Sequence, residues 1–181
     1  LSASDVQINK ENALTQAFST DLSAAASNGA KLLKNAINLN SANHGATASA
    51  FNSLTSAFKT EFAMSDAFEI NTQSIDVATS AQGLVDNINR QATGVTATLN
   101  ADNTITLENK TGDDITIGDA AGQGASDVGF TTGQYRGFLS LKNNDGSAVQ
   151  IEANNKSNGF STDLGTITDV TRLGYNQVNN D

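Results

Sequence analysis

Apolar residues between Thr79 and Ala92 recur at spacings of three and four, which is the period of an amphipathic helix. The apolar stripe consists of Ala81, Leu84, Val85, Ile88 and Ala92. Thr79 occupies the expected N-cap position, and Gln82 three residues later completes a capping box. The pattern predicts a helix that begins after Thr79 and ends at Gly94, with one buried face.

Segments on both sides of this helix alternate apolar and polar residues, which is the pattern of strands with one buried face. FEINTQSIDVA before the helix predicts two strands, whereas GVTATLN, NTITLEN and DDITIG after it predict three more. Residues 100–103 and 111–114 are rich in Asn, Asp and Gly, so we expect antiparallel hairpins at both places. The predicted unit is β-β-α-β-β with a further strand, and its helix lies on one small sheet.

The first 66 residues carry a short predicted strand at Val6–Ile8 and then three helical stripes. Asn28-Gly29 and residues 41–46 interrupt the stripes, and we expect two or three helices. The stripes are Leu14, Ala17, Phe18 and Leu22, then Leu33 and Ile37, and then Phe51, Leu54, Phe58 and Phe62.

The chain after the predicted unit begins with GDAAGQGASD, residues 118–127, which predicts a flexible connection. Residues 137–142 and 148–153 alternate on either side of Asp145-Gly146, a strong hairpin signal. A short closing helix is predicted by apolar residues at a spacing of three, namely Leu164, Ile167, Val170 and Leu173.

Together these elements predict an α+β fold of small antiparallel sheets with packed helices. It comprises the ββαββ unit, a β-hairpin and a helical N-terminal part. We expect a mainly helical part over residues 1–66, the ββαββ unit over 67–118, and a linker, hairpin and closing helix over 119–181. The last two parts combined into one domain are the alternative.

The order of elements between Ala67 and Gly118 resembles the ββαββ hook IN repeat of bacterial flagellins and filament-capping proteins. GFLSLKNNDGSAVQI and the LGY at residues 173–175 are similar to segments that follow this unit in flagellin-like chains. The resemblance covers roughly Ala67 to Tyr175, and residues 1–66 are not part of it. It implies the variable outer (D2/D3-type) region of flagellin, the structural subunit of the filament.

The resemblance implies an extracellular location on the bacterial flagellum and a role in motility. It also implies a secreted, hypervariable domain at the cell surface, with other flagellin subunits as partners, and host antibodies or surface glycans as further ones. Flagellins polymerise through long heptad-rich helices, and no such periodicity is present here. We therefore expect the outer portion, excised from a longer protein and monomeric alone, with no enzymatic activity.

Composition narrows the classes of function. The 181 residues include no Cys, so a disulfide, a thiolate nucleophile and a Cys-ligated metal are excluded. The net charge of −9 argues against a nucleic-acid partner. No stretch approaches the ~20 apolar residues of a membrane-spanning helix, so we expect no membrane partner. The scarcity of Trp and Cys agrees with flagellins.

Candidate chemistry is sparse. His44 is the only histidine, and it lies in a polar ANHGA segment with no nucleophile elbow in the chain, so we expect a solvated loop residue. Any metal site must use oxygen ligands, which favours Ca²⁺ or Mg²⁺. We predict no catalytic, cofactor-binding or metal residues and no cofactor. The candidates for a Ca²⁺ site, with ordinary turns as the competing interpretation, are Asp113, Asp114, Asp119 and residues 122–127.

Asn109-Lys110-Thr111 and Asn155-Lys156-Ser157 fit the N-glycosylation pattern, although chance matches are expected in so Asn-rich a chain. Three alternatives to a flagellin outer domain stay open. The first is a hook-associated or filament-cap protein. The second is an extracellular adhesin or carbohydrate-binding module, and the third is a Ca²⁺ enzyme with oxygen ligands.

Overall fold

The computed structural model describes residues 3–17, 28–120 and 122–153. These residues form two compact units: unit 1 is drawn from residues 1–51, 111–113 and 136–181, and unit 2 from 52–110 and 114–135. The helices are α1 Gly29–Asn38, α2 Ser41–His44, α3 Ala81–Gln91 and α4 Gly124–Asp127. The strands are β1 Val6–Ile8, β2 Glu11–Asn12, β3 Ala46–Thr55, β4 Phe68–Ile70, β5 Gln73–Ile75, β6 Thr96–Leu99, β7 Ile105–Asn109, β8 Ile115–Gly118, β9 Gly133–Tyr135, β10 Phe138–Asn143 and β11 Ile151–Ala153.

Helix α3 of unit 2 buries the predicted apolar stripe, which confirms the amphipathic pattern. The buried members are Leu84, Val85, Ile88 and Ala92. The predicted cap is wrong by one residue, because the N-cap is Ser80, whose extended backbone lets its Oγ accept from the Gly83 N–H at 3.1 Å. Gln82 donates to Asp86 at 2.9 Å instead of completing a capping box.

The strands of unit 2 form two antiparallel groups. β5, β4, β8 and β9 form one four-stranded sheet in that order. The end of β3 pairs with β7, and β7 pairs with β6 through the predicted hairpin at residues 100–103. One core of apolar side chains joins these strands with α3; its large fully buried members are Phe68, Ile70, Ile75, Leu84, Ile88, Leu107 and Ile115.

The hairpin predicted at residues 111–114 is wrong. β7 pairs with β3 and β6, whereas β8 pairs with β4 and β9, so the two strands belong to different sheets. Gly112 adopts a φ of +81° and approaches Ala50 of unit 1 so closely that a Cβ there would clash with it. This close packing, and the pairing of β8 with β4, replace the predicted single sheet by two.

Unit 1 contains a three-stranded antiparallel sheet in the order β11-β1-β2 and a second antiparallel pair in which residues 46–51 of β3 face β10. Strand β1 occurs where the sequence predicted it. Helix α1 carries the predicted stripe of Leu33 and Ile37. The buried apolar residues of this unit are Ile8, Ala13, Leu14, Ile37, Ala46, Ala48, Ala50 and Leu139.

Part of the helical prediction for residues 1–66 is wrong. The stripe that includes Phe51 and Leu54 belongs to strand β3, where buried Ala residues alternate with exposed Thr and Ser. This period of two prevails over the spacing of the larger apolar residues. Leu14 is buried but not helical. Ala17 of the same stripe is exposed and not helical either. Phe18 and Leu22, its other members, lie outside the described residues.

The turn at Asp145-Gly146 forms, and the Gly146 N–H donates to the Asn143 carbonyl at 3.1 Å. The predicted hairpin around it is nevertheless wrong, because β10 pairs with β3 and β11 pairs with β1. Across this turn, Asn143 Nδ2 donates to the Ala148 carbonyl at 2.9 Å. The predicted helix at Leu164–Leu173 lies outside the described residues.

The segment predicted as a flexible linker contains helix α4, whose Gly124 and Ala125 are buried in unit 2. A Cβ at Gly124 would meet the Asp66 carbonyl, so the close approach depends on glycine.

The α+β class is confirmed, whereas the three-part division stays a prediction. Within the described ranges, no helix has the length and apolarity needed to cross a membrane.

Candidate functional site

The segment from Ser65 to Thr111 is held together by polar side chains that bridge its elements. Asp76 after β5 accepts from Gln91 Nε2 at 2.6 Å, and its N–H donates to Gln91 Oε1 at 3.0 Å. Gln73 in β5 makes a similar pair with Thr93, at 2.6 Å and 3.1 Å. The C-terminal end of α3 is thereby fixed to β5 on both sides of its last turn.

The side chain of Asn89 in α3 makes hydrogen bonds to β6 of the kind that a neighbouring strand would make. Its Oδ1 accepts from the Ala97 N–H at 2.7 Å, and its Nδ2 donates to the Ala97 carbonyl at 3.0 Å. β6 is an edge strand, and an edge with unpaired backbone groups invites pairing with other chains. The sequence placed Asn89 outside the apolar stripe but gave no indication of this bridge.

Carboxylates in the loops accept local hydrogen bonds. Asp102, in the turn between β6 and β7, accepts from the Thr104 hydroxyl at 2.7 Å, and from its N–H, and these bonds lower the pKa of Asp102. Asp127 accepts from Ser65 Oγ at 2.5 Å and from the Ser65 N–H at 2.8 Å, and its pKa is also lowered. Such acceptors are typical of turns that stabilise themselves.

The candidate Ca²⁺ ligands are engaged separately. Asp119 accepts from the N–H groups of Gly122 and Ala125 and so orders the start of α4. Asp114 accepts from Gln134 Nε2 at 2.7 Å. In the parts of the chain that the structure describes, no group of three or more acidic or histidine side chains is arranged to hold a metal ion. The structure therefore gives no support to the calcium alternative.

Asp113 in unit 1 pairs with Lys31, whose Nζ lies 3.0 Å from Asp113 Oδ1. Burial raises the pKa of Asp113, but hydrogen bonds from Thr111 and Lys31 and the charges of Lys31 and Lys34 outweigh it, so the pKa is lowered overall. Both partners are partly exposed, and such pairs contribute little to stability. This pair has the character of a surface ion pair.

Comparison with known protein families finds a match in the bridged ββαββ segment. Residues 65–111 match the family model of the flagellin hook IN motif. The chain contains a flagellin hook IN motif. The match is confined to these residues, and it supports a flagellin-related structural role. No curated protein matches the chain.

Within the hook IN motif, Asn109 does not suit the role of a glycosylation acceptor. Its side chain is buried at the end of β7, and its Nδ2 donates to the Gly94 carbonyl at 2.7 Å. A glycan on this nitrogen would have to displace the amide from the core. The pattern at Asn109 is therefore a chance match, and the one at Asn155 lies outside the described residues.

His44 is not the solvated loop residue that the sequence predicted. Its side chain is 2% exposed, its Nε2 lies 3.1 Å from the Ile37 carbonyl, and its Nδ1 accepts from the Ala46 N–H at 3.2 Å. Because Nδ1 accepts, the ring proton lies on Nε2 and points at the carbonyl. The imidazole thus joins the end of α1 to the start of β3, which is a structural role.

A cleft of about 180 Å³ in unit 2 is smaller than the ~300–1,000 Å³ of typical small-molecule pockets. Its lining includes Lys59, Phe62, Ile105 and Asp127. Asp127 is engaged by Ser65, as described above. The cleft does not favour a ligand site.

Proposed function

We propose that the chain is a surface-exposed outer domain of flagellin, the structural subunit of the bacterial flagellar filament. The observation that carries the proposal is the hook IN motif, whose helix and strands are packed around one apolar core and bridged by side chains such as Asn89. In this role the domain performs no chemistry. It decorates a polymerised core and forms the exposed, antigenic and hypervariable surface of the filament.

The net charge of −9 supports this role. A high negative charge keeps a protein soluble and limits nonspecific association, which suits a domain repeated many times along a filament. The side chains that occupy strand edges also limit association, because they bind backbone groups that are otherwise available for pairing with another copy.

A hook-associated or filament-cap protein is the second candidate, because the same motif is named for the hook. The two candidates differ in position along the flagellum. A flagellin domain is repeated along the filament shaft, whereas a hook-associated or cap protein is confined to one end of it.

Immunogold electron microscopy distinguishes them. Antibodies raised against residues 1–181 are applied to flagella of the bacterium that encodes the chain, with a strain that lacks these residues in frame as the control. Label along the shaft is the expected result. Label restricted to the tip or the hook junction favours the second candidate, and flagella without label overturn the proposal.

A further inference from the structure

Apart from the short helix α2, which has no counterpart, unit 1 has the same order of elements as the unit that contains the hook IN motif. In each unit two strands form a hairpin, a helix follows, and then two strands pair with each other. A last strand returns to pair with the first. β1, β2, α1, β3, β10 and β11 correspond in this way to β4, β5, α3, β6, β7 and β8.

The pairing register is the same in both units. In unit 1, Leu141 faces Ala48, and in unit 2, Leu107 faces Ala97. Each of the four residue pairs of β6 and β7 has a counterpart in β3 and β10, and the difference in residue number between matching strands is the same for all four. The hairpins agree too, because Gln7 faces Asn12 where Glu69 faces Ser74.

Asn38 in unit 1 repeats the bridge made by Asn89. Its Oδ1 accepts from the Ala48 N–H at 2.7 Å and its Nδ2 donates to the Ala48 carbonyl at 2.9 Å. Both asparagines follow a buried isoleucine, Ile37 or Ile88, on their helix. The two bridged alanines, Ala48 and Ala97, occupy equivalent positions in the strand that follows the helix.

A second asparagine bridge is also present twice. Asn9 and Asn71 are the first turn residues of their hairpins and have φ values of 53° and 51°. Asn71 donates its N–H to the Thr116 carbonyl, and its Oδ1 accepts from the Thr116 N–H. Asn9 makes the same two bonds with Gln150. A ββαββ order alone is a common topology, but it does not require these side-chain bridges.

The sequences agree at these positions. Residues 45–50, GATASA, align with residues 94–99, GVTATL. Residues 139–151, LSLKNNDGSAVQI, align without gaps with residues 105–117, ITLENKTGDDITI. The glycines align in conformation as well, with φ of +71° at Gly45 and +78° at Gly94, and of +80° at Gly146 and +81° at Gly112.

We propose that unit 1 is a second module of the hook IN type, interrupted by the insertion of unit 2. Residues 3–17, 28–50 and 139–145 of this module correspond to parts of the matched segment 65–111. In unit 2, residues 100–104 connect the two paired strands that follow the helix. In unit 1, residues 51–138 stand at the same place; they contain all of unit 2, and residues 111–113 among them belong to unit 1.

The junction is suited to an insertion. Phe51 and Phe138 are paired across β3 and β10, and their rings stack with centroids 5.6 Å apart. The chain therefore leaves and re-enters unit 1 at adjacent points, as an insertion at a hairpin turn requires. This inference does not depend on where the chain lies on the flagellum.

Two substitutions in the full chain test whether the asparagine bridges are equivalent and act within separate modules. Amide exchange is followed by NMR in Asn38→Ala and Asn89→Ala, with Asn35→Ala on the exposed side of α1 as control. Asn38→Ala should accelerate exchange at Ala48 and its β3 neighbours more than about tenfold and leave β6 unchanged. Asn89→Ala should do the reverse, and the control should change neither. Loss of protection in both units from either substitution contradicts separate modules.

A core substitution in each unit of the full chain tests the insertion itself. Ile88→Ala, in the core of unit 2, should accelerate exchange in β6 and leave slow exchange at Ala48 and in β10 unchanged. Ile37→Ala, in the core of unit 1, should accelerate exchange at Ala48 and in β10 and leave β6 unchanged. Protection of β10 that follows Ile88→Ala and not Ile37→Ala overturns the insertion proposal, because β10 would then belong to unit 2.

Discussion

Short polar side chains close helix ends and strand edges in both units. Ser80 caps α3, Asn38 and Asn89 bridge strand edges, and His44 links α1 to β3. Each of these side chains satisfies backbone groups that would otherwise lack partners, which is expensive away from water. The richness of the chain in Asn and Ser therefore has structural consequences at particular positions.

Replacement of Ser80 by Ala should lower the free energy of unfolding by about 1 kcal/mol, since it removes the acceptor of the Gly83 N–H. Thr79→Ala, one residue earlier, should have little effect. Urea unfolding of both variants measures the difference. If Thr79→Ala is the more destabilising, Thr79 and not Ser80 caps α3.

Ser65→Ala should raise the pKa of Asp127, because the Ser65 hydroxyl is the largest cause that lowers it. The Ser65 N–H remains as a donor, so the pKa should return only part of the way to its ordinary value. Carbon-detected NMR titration of the carboxyl group measures the change. Ser147→Ala is the matched control, since it should raise the pKa of Asp145 and leave Asp127 unchanged.

The sequence indicates which residue types can cap a helix or bind backbone groups, but it does not indicate which groups they bind. The burial of His44 was missed because the ANHGA segment is polar, and only the fold brings Ile37 and Ala46 within reach of the ring. The cap was misplaced by one residue because Thr79 and Ser80 are both good N-cap residues. The backbone conformation of Ser80, and not its composition, decides between them.

The elements of unit 2 depend on the apolar face of α3. Ile88→Ala, at a fully buried position, should lower the free energy of unfolding of unit 2 by about 2–5 kcal/mol, through lost burial and an unfilled cavity. Asp86→Ala on the exposed face should change it by less than about 0.5 kcal/mol. Urea denaturation compares the two. Equal effects would mean that the stripe is not packed in the core.

Local patterns predicted the elements of the hook IN motif well because each carries its own periodicity, whereas α4 was predicted as a linker and β9 was not predicted. Helix α3 and the strand segments of the motif were all predicted from local period alone. Strand β3 was mistaken for a helix, since its inward residues are small alanines and its large Phe51 is exposed. Strand partners were harder, because Asp145-Gly146 predicts a turn but does not determine which strands pair beyond it.

At the scale of the whole chain, the pairing of β3 with β10 joins residues far apart in sequence, so local sequence patterns could not predict it. The insertion explains this difficulty. When a module is interrupted at its hairpin turn, its last strands are displaced along the chain by the length of the insert. Residues 1–66 therefore lacked the strands that complete their unit, and their relation to the motif was not visible.

Acid should destabilise the folded chain. Four carboxylates, those of Asp102, Asp113, Asp127 and Asp145, have a lowered pKa in the folded state. The unfolded chain therefore binds protons more readily than the folded one near pH 4. The stabilisation from these groups is complete above the unfolded value of about 3.9 and is lost as pH falls through the lower folded values.

Protonation also reduces the repulsion that accompanies a net charge of −9, which opposes this loss. A variant with Asn at positions 102, 127 and 145 separates the two effects, because the Asn amide oxygen still accepts hydrogen bonds but does not titrate. Urea midpoints at pH 5 and pH 3 should fall less in this variant than in the parent chain. An equal fall in both would show that these three turns do not contribute to acid sensitivity, and that other carboxylates, Asp113 among them, account for it.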